Sequence, residues 1–173
     1  METTIRQATK NDLPIILEIF NHAIKYTTAV YSYEPYTPIM MDEWFEEKRQ
    51  NNYPVFVSVN GDQVTGFVTY GSFRMRPAYK YAVEHSIYVH PTNRRQGIAK
   101  ILMKHIIKVA IQDQKHTLIG GIDAENEISI QFHKEFGFEE VAFLKQVGYK
   151  FNKWLDLKFL QLILETPNNP TED

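Results

Sequence analysis

The stretch that decides the fold is residues 83–110, VEHSIYVHPTNRRQGIAKILMKHIIKVA. Val83, His85, Ile87 and Val89 alternate with Glu84, Ser86 and Tyr88, the period of two of a strand with unlike faces. The strand stops at His90-Pro91. From Gly97 the period lengthens: Ile98, Ile101, Leu102, His105, Ile106 and Val109 fall at helical spacing, with Lys100, Lys104 and Lys108 on the other side. A basic loop with one glycine therefore opens a helix. The first amides of a helix have no intrahelical partner and carry the positive end of its dipole. Arg94, Arg95, Gln96 and Gly97 thus make a seat for an anionic group, for which a pyrophosphate is the natural guest.

Upstream, Thr4 to Ala8 reads as a short strand. Capping side chains at Thr9 to Asp12 then precede a helix with Leu13, Ile16, Leu17, Phe20 and Ile24 on one face. Residues 26–38 carry aromatics and prolines without a period and read as an ordered loop. A helix of about ten residues around Trp44, Phe45 and Lys48 follows, stopping at Asn51-Asn52. Val55, Val57 and Val59 lead through Asn60-Gly61-Asp62, a tight-hairpin signature, into a return strand from Val64 to Tyr70. GSFRMRP (71–77) breaks the pattern before the strand at 79–89. Downstream come a strand at 117–122, a helix with Ile128, Phe132 and Phe136 in steps of four closed by Gly137, and strands at 138 to about 145 and 151 to about 164. The polar end TPNNPTED (166–173) is expected to fray. With no repeat or linker, the economical organisation is one α+β domain over 1–165 and a flexible tail over 166–173.

Composition narrows the class. The 173 residues carry 19 basic and 21 acidic side chains, net −2, which argues against a dedicated nucleic-acid binder. There is no cysteine, so neither a disulfide scaffold nor a thiol nucleophile is available, and a reducing compartment fits. Six scattered histidines without a His-x-x-x-His pair give no zinc signature, so no metal is expected. No signal-peptide pattern and no membrane-length apolar run occur, which makes a cytoplasmic protein the expectation.

The spacing Arg94-x-x-Gly97-x-Ala99 resembles the Arg/Gln-x-x-Gly-x-Gly/Ala motif of the GCN5-related N-acetyltransferases, and the element order is similar over nearly the whole chain. EHSIYVHPTNRRQGIA and VGYKFNKWLDL further resemble the phosphinothricin and methionine-sulfoximine acetyltransferase branch. The resemblance implies a mixed, mostly antiparallel central sheet of about seven strands flanked by about four helices, acetyl-CoA as co-substrate, and a homodimer. It implies that Ile87, Tyr88 and Val89 hold the acyl and pantetheine part like an added strand. Arg94, Arg95, Gln96, Gly97, Ile98, Ala99 and Lys100 would then hold the pyrophosphate, and Asn126 would reach the pantetheine.

In this branch a glutamate at the position of Glu84 is the proposed general base. An ammonium acceptor must lose a proton before it attacks a thioester, and a partly buried carboxylate with a raised pKa serves. Many relatives use a Tyr where this chain has His133 to protonate the leaving thiolate; a histidine titrates near working pH, yet His133 equally fits a purely helical role. By resemblance Arg74, Met75 and Arg76, with Glu84, His85 and Ser86, bind an amino-acid acceptor, and paired guanidinium forks suit its carboxylate. His85 faces away from Glu84 on a regular strand, which favours a core or orienting role. The expected reaction is acetylation of the α-amine of a small amino-acid-like acceptor. The alternatives are another amine acceptor, a peptide N-terminus or an aminoglycoside, and a non-catalytic CoA-sensing module.

Overall fold

The computed structural model describes residues 3–172. Thr3–Gln7 forms β1, and Arg6 on it makes two hydrogen bonds to the buried Asp12 carboxylate, at 2.7 and 2.8 Å. That pairing, with the Thr9 amide and hydroxyl, holds the Asp12 carboxyl down at about 2. It also fixes the turn into α1, Leu13–Tyr26, which buries Leu13, Ile16, Ile19, Ala23 and Ile24. Leu17 and Phe20, expected on the apolar stripe, flank it half-buried. The second helix, α2, is Pro38–Gln50, started by the Thr37 hydroxyl accepting from the Met40 amide.

The hairpin expected at Asn60-Gly61 is formed by β2, Val55–Asn60, and β3, Gln63–Ser72. β4 is Ala82–Val89, and α3, Ile98–Gln112, leads back to β5, Thr117–Asp123, which lies parallel to β4. A helix between two parallel strands is the crossover that such pairing requires. Then come α4, Glu127–Lys134, and a long hairpin of β6, Glu139–Lys150, and β7, Lys153–Ile163. The seven strands form one sheet in the order β1-β2-β3-β4-β5-β7-β6, antiparallel except at β4 and β5.

The chain divides into two compact units, one running to Gly71 and taking in Ser86–Ile107, the other holding Ser72–His85 and everything from Lys108 on. The first unit has its core where α1 and α2 pack on β2 and β3. Ile16, Val57 and Met41 are at most 2% exposed, with Trp44 and Tyr88 packed against the cluster. Burying each such side chain is worth roughly 1.5–3 kcal/mol against an exposed position. The second unit is built on β5, β7 and β6, with Leu118, Leu155, Leu160 and Ile130 buried.

Several boundaries differ from the sequence reading: β4 starts at Ala82 and not at residue 79, because Pro77–Tyr79 coil into a 3-10 turn, and α4 ends at Lys134, short of Phe136. β6 runs five residues past Lys145, because Gln146 takes a left-handed bulge conformation (φ 53°) and its amide donates to Asp156 Oδ1, so pairing resumes beyond it. The turn between β6 and β7 is Phe151-Asn152, both at positive φ, a tight hairpin turn without glycine. The segment expected to fray is tied at several points: the Thr166 hydroxyl donates to the Lys115 carbonyl, the Thr166 carbonyl meets His116 Nδ1, and the Thr171 amide donates to the Tyr81 hydroxyl.

Candidate active site

In the first unit the loop before α3 is built from backbone. Arg95 and Gly97 take left-handed conformations (φ 61° and 78°), and the Gly97 carbonyl accepts the first helical bonds, from Lys100 and Ile101. A side chain at residue 97 would be strained, which is why glycine stands there. Arg94, Arg95, Gln96 and Lys100 are exposed, Ala99 is half-buried, and Ile98 alone of the loop residues anchors in the core. The loop thus presents helix-start amides ringed by cationic side chains. On β4, Ile87, Tyr88 and Val89 are half-buried, and the Tyr88 ring sits between Phe20 and Phe67, with centroids at 5.6 and 5.2 Å. The ladder between β4 and β5 stops at Glu84, although β4 continues to Val89.

In the second unit, neighbouring residues of β4 face opposite ways. Glu84 is half-buried, and burial raises its pKa above the ordinary carboxylate value while the charge of Arg74 pulls the other way. A proton acceptor with a raised pKa is what deprotonation of an ammonium near neutral pH needs. Arg74 is exposed and stacks on Phe73, its guanidinium carbon 4.7 Å from the ring centroid. Arg76 and Met75 are exposed, Met75 at 93%. Phe73 and Phe159, 5.9 Å apart, wall a cavity of about 320 Å³ that Tyr79, Thr117 and Gln161 also line.

His85 points the other way and is sealed, 6% exposed, against His133 of α4, itself 3% exposed. Their Nε2 atoms lie 3.0 Å apart; His85 Nδ1 is 2.8 Å from the Ile119 carbonyl and His133 Nδ1 is 2.7 Å from the Ser129 carbonyl. A carbonyl only accepts, so both Nδ1 atoms must carry hydrogen for these bonds to exist. Two neutral rings so arranged set their Nε2 lone pairs against each other, and moving either proton sets a lone pair against a carbonyl instead. A third proton would satisfy all three contacts. Burial opposes it, holding His85 down at about 3 and lowering His133 as well. His85 therefore does not share a face with Glu84, and His133 has both ring nitrogens engaged inside the fold. Asn126 caps α4, its Oδ1 accepting from the Ser129 amide at 3.1 Å. Ser86, on the part of β4 belonging to the first unit, is half-buried.

The sequence reading passed over the residues that shape this arrangement, Gly120, Gly121 and Phe159. The signal was the pair of adjacent glycines inside the strand TLIGGID, where each side chain is lost at a cost in strand stability.

Each unit thus holds one feature of interest, the helix-start amides at 95–99 in the first and a half-buried carboxylate of raised pKa, Glu84, in the second. The acetyltransferase (GNAT) domain profile matches residues 5–158. The chain is 38% identical to the L-amino acid N-acyltransferase MnaT of Escherichia coli over 167 residues, covering 96% of this chain and 97% of that protein. It is 39% identical over 162 residues to the L-methionine sulfoximine/L-methionine sulfone acetyltransferase of Salmonella typhimurium, covering 94% and 95%. The crystal structure of a phosphinothricin acetyltransferase from Sinorhizobium meliloti in complex with acetyl-CoA superposes with a TM-score of 0.93 at 31% identity, covering 98% of this chain and 93% of that one. The chain belongs to the GNAT acetyltransferase family, and it is an acyltransferase. Among the described residues no helix is long and apolar enough to cross a membrane.

Proposed function

We propose that the protein acetylates the α-amine of a small amino-acid-like acceptor of the phosphinothricin, methionine sulfoximine or methionine sulfone type, with acetyl-CoA as donor, by direct transfer in a ternary complex. The observation that carries this reading is Glu84, a half-buried carboxylate of raised pKa beside Arg74. The relatives named above for their amino-acid acceptors support the acceptor class.

The donor supplies an activated acetyl thioester. Backbone amides of Arg95 to Ala99, with the side chain of Lys100, hold its pyrophosphate, which the left-handed geometry at Arg95 and Gly97 and the exposed basic side chains favour. Ile87, Tyr88 and Val89 bind the pantetheine and acyl part as an added strand along β4. Asn126 meets the pantetheine through its amide nitrogen, since its oxygen caps α4. Arg74 and Arg76 pair with the acceptor carboxylate, Met75 and Ser86 border it, and the cavity beside Phe73 and Phe159 seats its side chain. Glu84 takes the ammonium proton. The amine then forms the C–N bond as the C–S bond breaks, and the departing thiolate takes a proton. His133 supplies that proton only if one of its internal bonds opens; its standing contribution, with His85, is to hold α4 and its cap Asn126.

We also propose that a second copy of the chain covers β6, the edge strand, where Val141, Phe143, Val147 and Tyr149 are 45–53% exposed. The test of the catalytic reading is release of free CoA from acetyl-CoA with methionine sulfoximine or phosphinothricin, measured with a thiol reagent against a panel of peptides and aminoglycosides. Turnover confined to the amino-acid analogues supports it. Acetyl-CoA binding without acetylation of any amine would instead mark a sensing module.

A further inference from the structure

Gly121 stands in the middle of β5, exposed, and the reason is not its own backbone. Its φ lies outside the left-handed region that reserves a position for glycine. The reason lies in what a side chain there would meet. A Cβ at residue 121 would stand 2.8 Å from Glu84 Oε1, 3.4 Å from Phe159 Cε1 and 3.8 Å from Leu157 Cδ1. The first distance is too short for any Cβ to tolerate, and the atom that must yield is the end of the Glu84 side chain. Phe159 and Leu157 on β7 close the other side of the same space.

We propose that Gly121 is a positioning residue for the Glu84 carboxylate: the bare backbone at this point of β5 is the floor on which Oε1 rests. The inference rests on the reading of Glu84 as the general base. A side chain at 121 lifts the carboxylate off this floor and away from Phe159. The loss falls on proton removal from the acceptor, since Gly121 lies outside the donor-binding loop. A catalytic group displaced by about 1 Å loses on the order of a hundredfold in rate.

The experiment is a set of variants assayed on the full chain for kcat, KM for the acceptor, acetyl-CoA affinity and Tm. For Gly121→Ala the expected result is a kcat lower by roughly 10- to 100-fold, with acetyl-CoA affinity within about two-fold and Tm unchanged or higher, because alanine fits the backbone. In the Glu84→Gln background the same substitution should cause no further loss. Glu84→Asp, whose carboxylate is one methylene shorter and withdrawn from the methyl, should lose less in the Gly121→Ala background than in the wild type; this comparison holds even if the alanine lowers Tm. Gly121→Ala with full kcat overturns the inference, as does an equal loss in the Glu84→Gln background or an effect confined to acceptor KM. Full activity of Glu84→Gln alone would instead overturn the reading of Glu84 as base, so the two failures are distinct.

Discussion

Glu84 and His85 are adjacent on one strand, and their surroundings could hardly differ more. Glu84 looks onto a face lined by Gly121, Phe159 and the cation of Arg74, where burial is partial and the carboxylate keeps access to a proton from outside. His85 looks into a sealed layer under α4, where its two ring nitrogens meet a carbonyl and a second imidazole. The glycines opposite follow the same division, Gly121 below Glu84 and Gly120 beside the two histidine rings. Burial perturbs both titratable groups, yet only an exposed path turns such a perturbation into chemistry. On the proposed reading of Glu84 as base, turnover belongs to the open side and stability to the sealed one.

Five results would break or sharpen that division. The largest effect is expected at Glu84 itself: Glu84→Gln should lower kcat by roughly 10²–10⁴-fold, the usual worth of a general base, with acetyl-CoA affinity little changed by calorimetry. Next, Gly120→Val should cost about 1–3 kcal/mol of stability by denaturant unfolding, through overpacking. Its Cβ would already stand 3.0 Å from His85 Cε1 and 3.2 Å from His133 Nε2, atoms of rings that cannot swing aside. The residual folded Gly120→Val enzyme should keep its kcat, the reverse of Gly121→Ala.

The two titrating groups should also bend the stability curve in opposite senses. His85 has a folded pKa of about 3, below its ordinary value, so the unfolded chain binds the proton more readily and stability falls as pH drops from about 6.5 toward 3. His85→Gln should flatten that slope in urea midpoints measured at pH 5 and 7. The Glu84 pKa is raised, so the folded chain holds that proton more tightly and stability is lost as pH rises through the raised value. Glu84→Gln should therefore be more stable than wild type at pH 8 and lose that advantage near pH 4. A Glu84→Gln protein less stable at pH 8 would mean that the carboxylate is held by favourable partners instead of being strained by burial. The smallest effect on the chemistry is expected at the β6 edge. Val147→Glu should shift sedimentation toward the monomer while leaving the single-site acetyl-CoA affinity within about two-fold; an unchanged sedimentation profile would remove β6 as the dimer surface.

Much of the architecture was legible because local chemistry and tertiary structure agree. Asn60-Gly61 makes the hairpin it advertises, and the change of period at Gly97 marks the loop-to-helix junction. The alternation at 83–89 by itself places Glu84 and His85 on opposite faces of the strand. What escaped depended on partners far along the chain. Nothing local in residues 145–152 reveals that Asp156 catches a bulge at Gln146 and lets β6 continue. Nor does the helical spacing of His133 show that His85, 48 residues earlier, meets it at 3.0 Å. The two glycines of TLIGGID were visible, but their purpose appears only once the strands beside them are in register.

The central claim, that Glu84 receives the acceptor proton, is tested most directly by the pH dependence of kcat/KM for methionine sulfoximine in the wild type and in Glu84→Gln. The wild type should lose activity on the acid side through a group with a pKa above the ordinary carboxylate value, and Glu84→Gln should lose that limb together with most of its rate. A Glu84→Gln enzyme that keeps the wild-type rate and the same acid limb would contradict the account.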